Sequence, residues 1–210
     1  MGGEKIVYLT FDDGPSPYTP ELLEILKRNG VKATFFVTGA SPGNSECIGA
    51  AYRDGHAIGA HTYTHNFAEI YSSDTVFWND IEKVQNLIEQ QTGQRTGIIR
   101  FAGGSSNTVS KRYSSGIMSR LVSQAAEKGY QYFDWNVASG DAGWTTDSNK
   151  VAENIVNGVS RKSVSVVLCH DSKKYTVEGI EKAIKWCLDH GYQFRTITPE
   201  TFPAHHSVQN

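Results

Sequence analysis

Two adjacent carboxylates, Asp12 and Asp13, stand immediately before a Gly14-Pro15 step, and two histidines, His61 and His65, stand four residues apart. Two neutral imidazoles and one carboxylate form a ligand set for a zinc-type divalent cation that leaves coordination positions open to water and substrate. The four-residue spacing predicts that both imidazoles lie on one side of a single turn, where they can chelate one ion. A third histidine, His170, follows Leu168-Cys169 at the end of another apolar run and is a candidate general acid or base. Each feature alone has a plainer explanation: Asp before Gly and Pro is common in turns, and paired histidines also occur on solvated faces. Cys169 beside His170 suggests a thiol nucleophile with its base, but neighbours on a strand point to opposite faces, which argues against that pair.

These residues need elements to place them. Apolar runs rich in β-branched and aromatic residues predict seven strands, at 6–11, 33–37, 57–60, 97–101, 130–135, 164–168 and 193–197. Helical periodicity fills the intervals at 20–27, 74–91, 109–128, 149–160 and 176–189. Thr19 before Pro20 reads as a helix start, and Gly30, Gly129 and Gly191 read as residues just past helix ends. Alternating strands and helices predict a parallel sheet with helices outside. Seven such units in one chain suit a closed or nearly closed barrel in a single domain. In such an architecture reactive side chains gather at the carboxyl ends of strands, where Asp12, Asp13, His61, His65 and His170 all fall. If the first strand persisted through both aspartates, their side chains would diverge.

The chain has 210 residues, with 20 Lys plus Arg against 22 Asp plus Glu, and no basic stripe, which argues against a nucleic-acid partner. The composition is that of a soluble, globular domain; no apolar run reaches the length of a membrane span, and the first residues lack the character of a signal peptide. Three widely spaced cysteines, Cys47, Cys169 and Cys187, predict buried thiols rather than disulfides or a thiolate metal site. Residues 1–4 read as a linker or remnant, 5–204 as one domain and 205–210 as a C-terminal tail. His56, His190, His205 and His206 are given no role.

Taken in order, Thr10-Phe11-Asp12-Asp13-Gly14-Pro15, His61-Thr62-Tyr63-Thr64-His65, Arg100-Phe101-Ala102-Gly103-Gly104 and Val167-Leu168-Cys169-His170 closely resemble the motifs of the NodB-homology polysaccharide deacetylases, carbohydrate esterase family 4. The resemblance implies a distorted (β/α)7 barrel and a divalent metal, zinc first and cobalt or a similar ion second. It implies Asp13, His61 and His65 as metal ligands, Asp12 as the base that deprotonates the attacking water, His170 as the acid for the leaving group, and Arg100 as the residue that orients Asp12. Gly103 would offer a backbone N–H to the oxyanion, and the usual Pro-Tyr of that motif is replaced by Ala102-Gly103. The segment from Asp134 to Ala142 is similar to the family's fourth motif. There Asp141 is the expected partner of His170 and Asp134 its rival, and Ala142 stands where a tryptophan is customary. Trp135 and Leu168 are expected at the substrate, with Trp144 as a substitute wall.

The expected activity is hydrolysis of acetyl groups from a polysaccharide, foremost N-deacetylation of N-acetylglucosamine in peptidoglycan or chitin-like oligomers. An O-acetyl xylan esterase would use the same core residues. A glycan-binding domain without catalysis is a separate reading, suggested by the altered motifs and by Tyr63, Trp78 and Trp144 as exposed aromatics. The resemblance further implies a monomer, located outside the cell or at the cell wall.

Overall fold

A computed structural model describes residues 3–210. The elements run β1 (Ile6–Asp12), α1 (Thr19–Arg28), β2 (Thr34–Thr38), α2 (Glu46–Arg53), β3 (Ala57–Thr62), α3 (Phe67–Ile70), α4 (Asp74–Thr92), β4 (Ile98–Ile99), α5 (Ile117–Glu127), β5 (Gln131–Tyr132), β6 (Val137–Ala138), α6 (Ser148–Val159), β7 (Val164–His170), α7 (Lys174–Asp189) and β8 (Gln193–Phe194). All ladders are parallel, in the order β5-β4-β3-β2-β1-β7-β6, with β8 pairing to the start of β1. The sheet curls into a half-barrel with helices outside, the distorted (β/α)7 fold in a single domain.

The seven expected strands are all present, but those around residues 97–101, 130–135 and 193–197 shrink to two-residue ladders. A short additional strand, β6, follows β5 after four residues. The periodic stretch 109–128 is broken: a 3₁₀ turn at Val109–Arg112 and α5 are separated by Gly116, which takes a φ of +72° that other residues adopt at a cost. Helix α2 escapes sequence reading because Gly49 lies inside it, a poor helix former accommodated where its Cα faces the Gln91 carbonyl. Thr19 is no cap, since its hydroxyl accepts the Ser16 N–H and donates to Asp171. Gly30, Gly129 and Gly191 do take left-handed conformations past their helices.

Strand alternation divides the core in two. Val7, Leu9, Phe11, Phe35, Val37, Ala60, Val167 and Cys169 pack outward beneath the helices. Tyr8, Phe36, Ile98 and Val166, on the other parity, form a smaller cluster with Phe133 and Ile197 inside the curve. Continuing that inner parity to the carboxyl ends reaches Thr10 and Asp12 on β1, His61 on β3, Arg100 after β4, and Leu168 and His170 on β7. The side chains with chemical potential are therefore those that strand periodicity turns into the barrel mouth.

The segment 205–210, expected as a free tail, is strapped to the domain. His205 stacks on Tyr132, the His206 N–H donates to Asp134, and Asn210 binds Gly116, Ser110 and Ser119. Among the described residues no helix is long and apolar enough to cross a membrane. The cysteines are free, Cys169 and Cys187 buried and Cys47 half-buried.

Candidate active site

Asp12 and His170 are Cα partners in the β1–β7 ladder, so register alone sets them side by side. The strand ends at Asp12, and Asp13 turns to a left-handed φ of +74°, which breaks the alternation and brings the second carboxylate to the same mouth. The divergence of the two aspartates expected from an unbroken strand is thereby avoided. His65 takes a φ of +53°, and it and Asp13 are the non-glycine residues of positive φ among those described. Such conformations cost of order 1–3 kcal/mol and persist where surrounding structure enforces them, commonly at functional sites. The two histidines do not share a helical turn: His61 is the penultimate residue of β3 and His65 lies in the loop beyond it, with ring centroids 5.2 Å apart.

Asp13 Oδ1 lies 3.3 Å from His61 Nε2 and 3.1 Å from His65 Nε2. The three offer ligand atoms within 4.8 Å of one another. His61 Nδ1 donates to the Arg100 carbonyl at 2.7 Å, which leaves the Nε2 lone pair of the neutral ring facing Asp13. Asp13 Oδ1 is shielded from solvent and has no hydrogen-bond partner of proper geometry despite the two nitrogens beside it. Three lone-pair donors converging on one point, one of them otherwise unsatisfied, fit a small divalent cation of the zinc type. Burial works against ionising Asp13, yet His61 and His65 hold its carboxyl well below the ordinary carboxylate range. Burial likewise opposes protonation of His61, and Asp12 and Asp13 more than offset it. At His61 a proton and a cation would compete for the same Nε2 lone pair, so a cation bound there would displace that proton.

Arg100 is fully buried and every face of its guanidinium is used. Its Nε donates to the Phe133 carbonyl at 2.9 Å, Nη2 to the Asp134 carbonyl at 2.8 Å, and Nη1 to Thr10 Oγ1 at 2.6 Å and Asp12 Oδ1 at 2.8 Å. It stacks 4.3 Å over Phe36. This bond fixes one oxygen of Asp12 and leaves Oδ2 turned toward the trio, 3.8 Å from His61 Nε2. A buried pair of this kind resists loss of either partner, at roughly 3–5 kcal/mol.

On the other side, His170 Nδ1 meets Asp141 Oδ1 at 2.7 Å, while Asp141 Oδ2 accepts the His170 N–H at 2.8 Å and the Thr176 hydroxyl at 2.7 Å. Burial would depress His170, but the Asp141 hydrogen bond and the nearby Asp13 and Asp12 push it up to about 9. Its Nε2 lies 3.9 Å from Asp13 Oδ2, which joins it to the trio. Asp134, the rival partner, accepts instead from the Ser105 N–H and hydroxyl and the His206 N–H. Burial raises the Cys169 thiol well above its usual range, and Cys169 faces the outer core, so it offers no nucleophile beside His170.

Gly103, with a φ of +76°, stands exposed in the turn after β4, and a Cβ there would meet the Phe67 ring, which itself packs edge-on to His65. Trp135 and Leu168 line an open cavity of about 180 Å³ with Ala138, Ala142 and Trp144. Trp144 is 78% exposed on its rim. Tyr63 and Trp78, expected at the surface, are half-buried: Tyr63 packs on Gly39, and Trp78 stacks on Tyr130. Sequence reasoning missed Thr10, Thr176 and Asp80. For Asp80 a signal existed, an acidic residue on the apolar stripe Phe77, Ile81, Val84 and Ile88 of α4.

A sequence model of the family described as polysaccharide deacetylase matches residues 2–132. The chain belongs to the polysaccharide deacetylase family, carbohydrate esterase family 4, and is an enzyme of that metal-dependent hydrolase class. The solved catalytic domain of a peptidoglycan N-acetylglucosamine deacetylase from Eubacterium rectale is 44% identical, with a TM-score of 0.97 over 99% of this chain and 95% of that one. A peptidoglycan-N-acetylglucosamine deacetylase of Bacillus cereus is 31% identical over 209 residues, 95% of this chain and 72% of the relative. A chitin deacetylase of Arthroderma benhamiae is 33% identical over 183 residues, 82% of this chain and 45% of the relative.

Proposed function

We propose that this enzyme removes acetyl groups from N-acetylglucosamine residues of a glycan, with peptidoglycan as the foremost substrate, and that Asp13, His61 and His65 hold its metal. The observation that carries the reading is the convergence of those three ligand atoms between Asp12 on one side and His170 on the other. Two imidazoles and one carboxylate suit zinc, with cobalt the nearest substitute. When bound, the cation supplies Lewis acidity, polarising the acetyl carbonyl and lowering the pKa of water toward about 7.

The protein's own groups do the remainder. Asp12, held by Arg100 through Oδ1, takes the proton of the attacking water on Oδ2. His170, kept protonated at neutral pH by Asp141, delivers a proton to the departing amine. The Gly103 N–H is assigned to the developing oxyanion, and the cavity walled by Trp135 and Leu168 takes the apolar methyl end of the acetyl group. Residues 5–204 are assigned as the catalytic domain, acting as a monomer at or outside the cell wall.

Acetate release from peptidoglycan, chitooligosaccharides and acetylated xylan, with and without chelator, tests this. Chelator-sensitive release from the first two supports the reading, and release from xylan alone replaces it with an ester hydrolase. Asp12→Asn is expected to lower release by roughly 10²- to 10⁴-fold. Glycan binding without turnover at saturating metal overturns the enzymatic mechanism assigned to these residues.

A further inference from the structure

His65 lies beyond the end of β3, where no ladder holds it, yet its Nε2 is aimed at Asp13 from a backbone conformation that residues with a Cβ avoid. The constraint comes from another element. Asp80, in α4, is buried and is the one carboxylate among that helix's buried residues, which are otherwise apolar but for Gln85. Its Oδ2 accepts the Tyr63 N–H, and its Oδ1 accepts the Thr64 N–H at 3.2 Å and the Thr64 hydroxyl at 3.0 Å. A carboxylate out of water is tolerated only where donors occupy its lone pairs, and all three donors here come from the segment between the two histidines. The Tyr63 carbonyl is also engaged, by the Gly39 N–H at 2.9 Å. With residues 63 and 64 pinned on both sides, the chain must turn sharply at His65 to reach Asn66, the cap of α3.

We propose that Asp80 is a positioning residue of the metal site, one that holds the His61–His65 loop in its left-handed turn so that His65 faces Asp13 before a cation arrives. The inference rests on reading Asp13, His61 and His65 as metal ligands. Asp80 touches none of the three side chains and acts through the two amides. In Asp80→Asn one carboxylate oxygen becomes an amide donor facing a backbone donor, so at least one of those buried N–H groups loses its partner.

The test is titration of zinc into the metal-free full chain by calorimetry, and of cobalt followed by visible absorption, for wild type and Asp80→Asn, with thermal melts of both metal-free proteins. The wild type is expected to bind one equivalent. Asp80→Asn is expected to bind it about 10- to 100-fold more weakly, the range typical for loss of a group that orients a ligand, with a changed cobalt spectrum. A purely structural role would lower the melting temperature and leave affinity and spectrum alone, and that outcome overturns the proposal. If Asp80→Asn does not fold, Thr64→Val removes the hydroxyl donor to Asp80, together with the long 3.4 Å bond that this hydroxyl accepts from the Asn66 N–H, and leaves both amide bonds to Asp80 in place. A threefold or greater loss of affinity then supports the proposal, and unchanged affinity overturns it. A wild type that binds no metal ends the ligand assignment and this inference with it, whereas a wild type that binds metal but releases no acetate overturns the function alone.

Discussion

The two halves of the site are built by opposite means. On the acid side, His170 is the last residue of β7, its Cα fixed opposite Asp12 by ladder register, and Asp141 binds both its ring and its backbone N–H. On the metal side, Asp13 and His65 lie past the ends of their strands in left-handed conformations, supported from outside. Thr38 donates its hydroxyl to the Asp13 carbonyl, and Asp80 binds the loop before His65. The contrast teaches that the residue assigned as proton donor is set by ladder register and one carboxylate partner. The proposed ligands Asp13, His61 and His65 come from one strand and two loops, and the two loop residues have to be held in place from outside. The supports beneath them are buried polar groups, which a hydrophobic core would otherwise exclude.

If the halves do separate work, they must fail separately. The largest effect is expected from His61→Ala, which should abolish stoichiometric metal and lower acetate release by about 10³-fold or more, because the lost Lewis acidity is worth several kcal/mol and about 1.4 kcal/mol is tenfold in rate. Metal analysis alongside kinetics checks it. His170→Ala should lower kcat by roughly 10²- to 10⁴-fold while metal content stays at one equivalent. Parallel loss of metal would dissolve the distinction between the halves.

Asp141→Asn sharpens the comparison through pH. With its pKa raised from 6.5 to about 9, His170 contributes stability that is fully present below about pH 6.5 and fades as pH rises through about 9. Thermal melts of the metal-free protein should therefore show declining stability over that window, and the decline should flatten in Asp141→Asn. The basic limb of the activity profile should move to lower pH in the same variant, and an unmoved limb would assign it to another group. The smallest effect is expected from Trp144→Ala on the cavity rim. A change in stability under about 0.5 kcal/mol is predicted from its exposure, with a KM raised a few-fold and kcat little altered, read from steady-state kinetics on oligosaccharides of increasing length.

Much of this was legible before any coordinates. Apolar runs and helical periodicity located every long strand and the principal helices, and placed Asp12, His61 and His170 just past the ends of those runs, at the edge where reactive side chains gather. What remained hidden followed from long-range contacts. Strands of two residues are too short to carry a period. Gly49 conceals α2, and Gly116 divides a stretch whose periodicity runs on unbroken. Asp141, expected ahead of Asp134 as partner of His170, does meet it, and the strap at His206 and the Ser105 turn occupy Asp134.

The sequence by itself determined the types of side chain at the site and their order, because those properties are local to a few consecutive residues. The tertiary structure decided the rest. Asp13 joins Asp12 instead of diverging from it, and His65 reaches His61 without a helix, because both depend on left-handed turns that isolated L-residues disfavour. Contacts from distant elements, Thr38 on β2 and Asp80 on α4, hold the segments in which those turns fall.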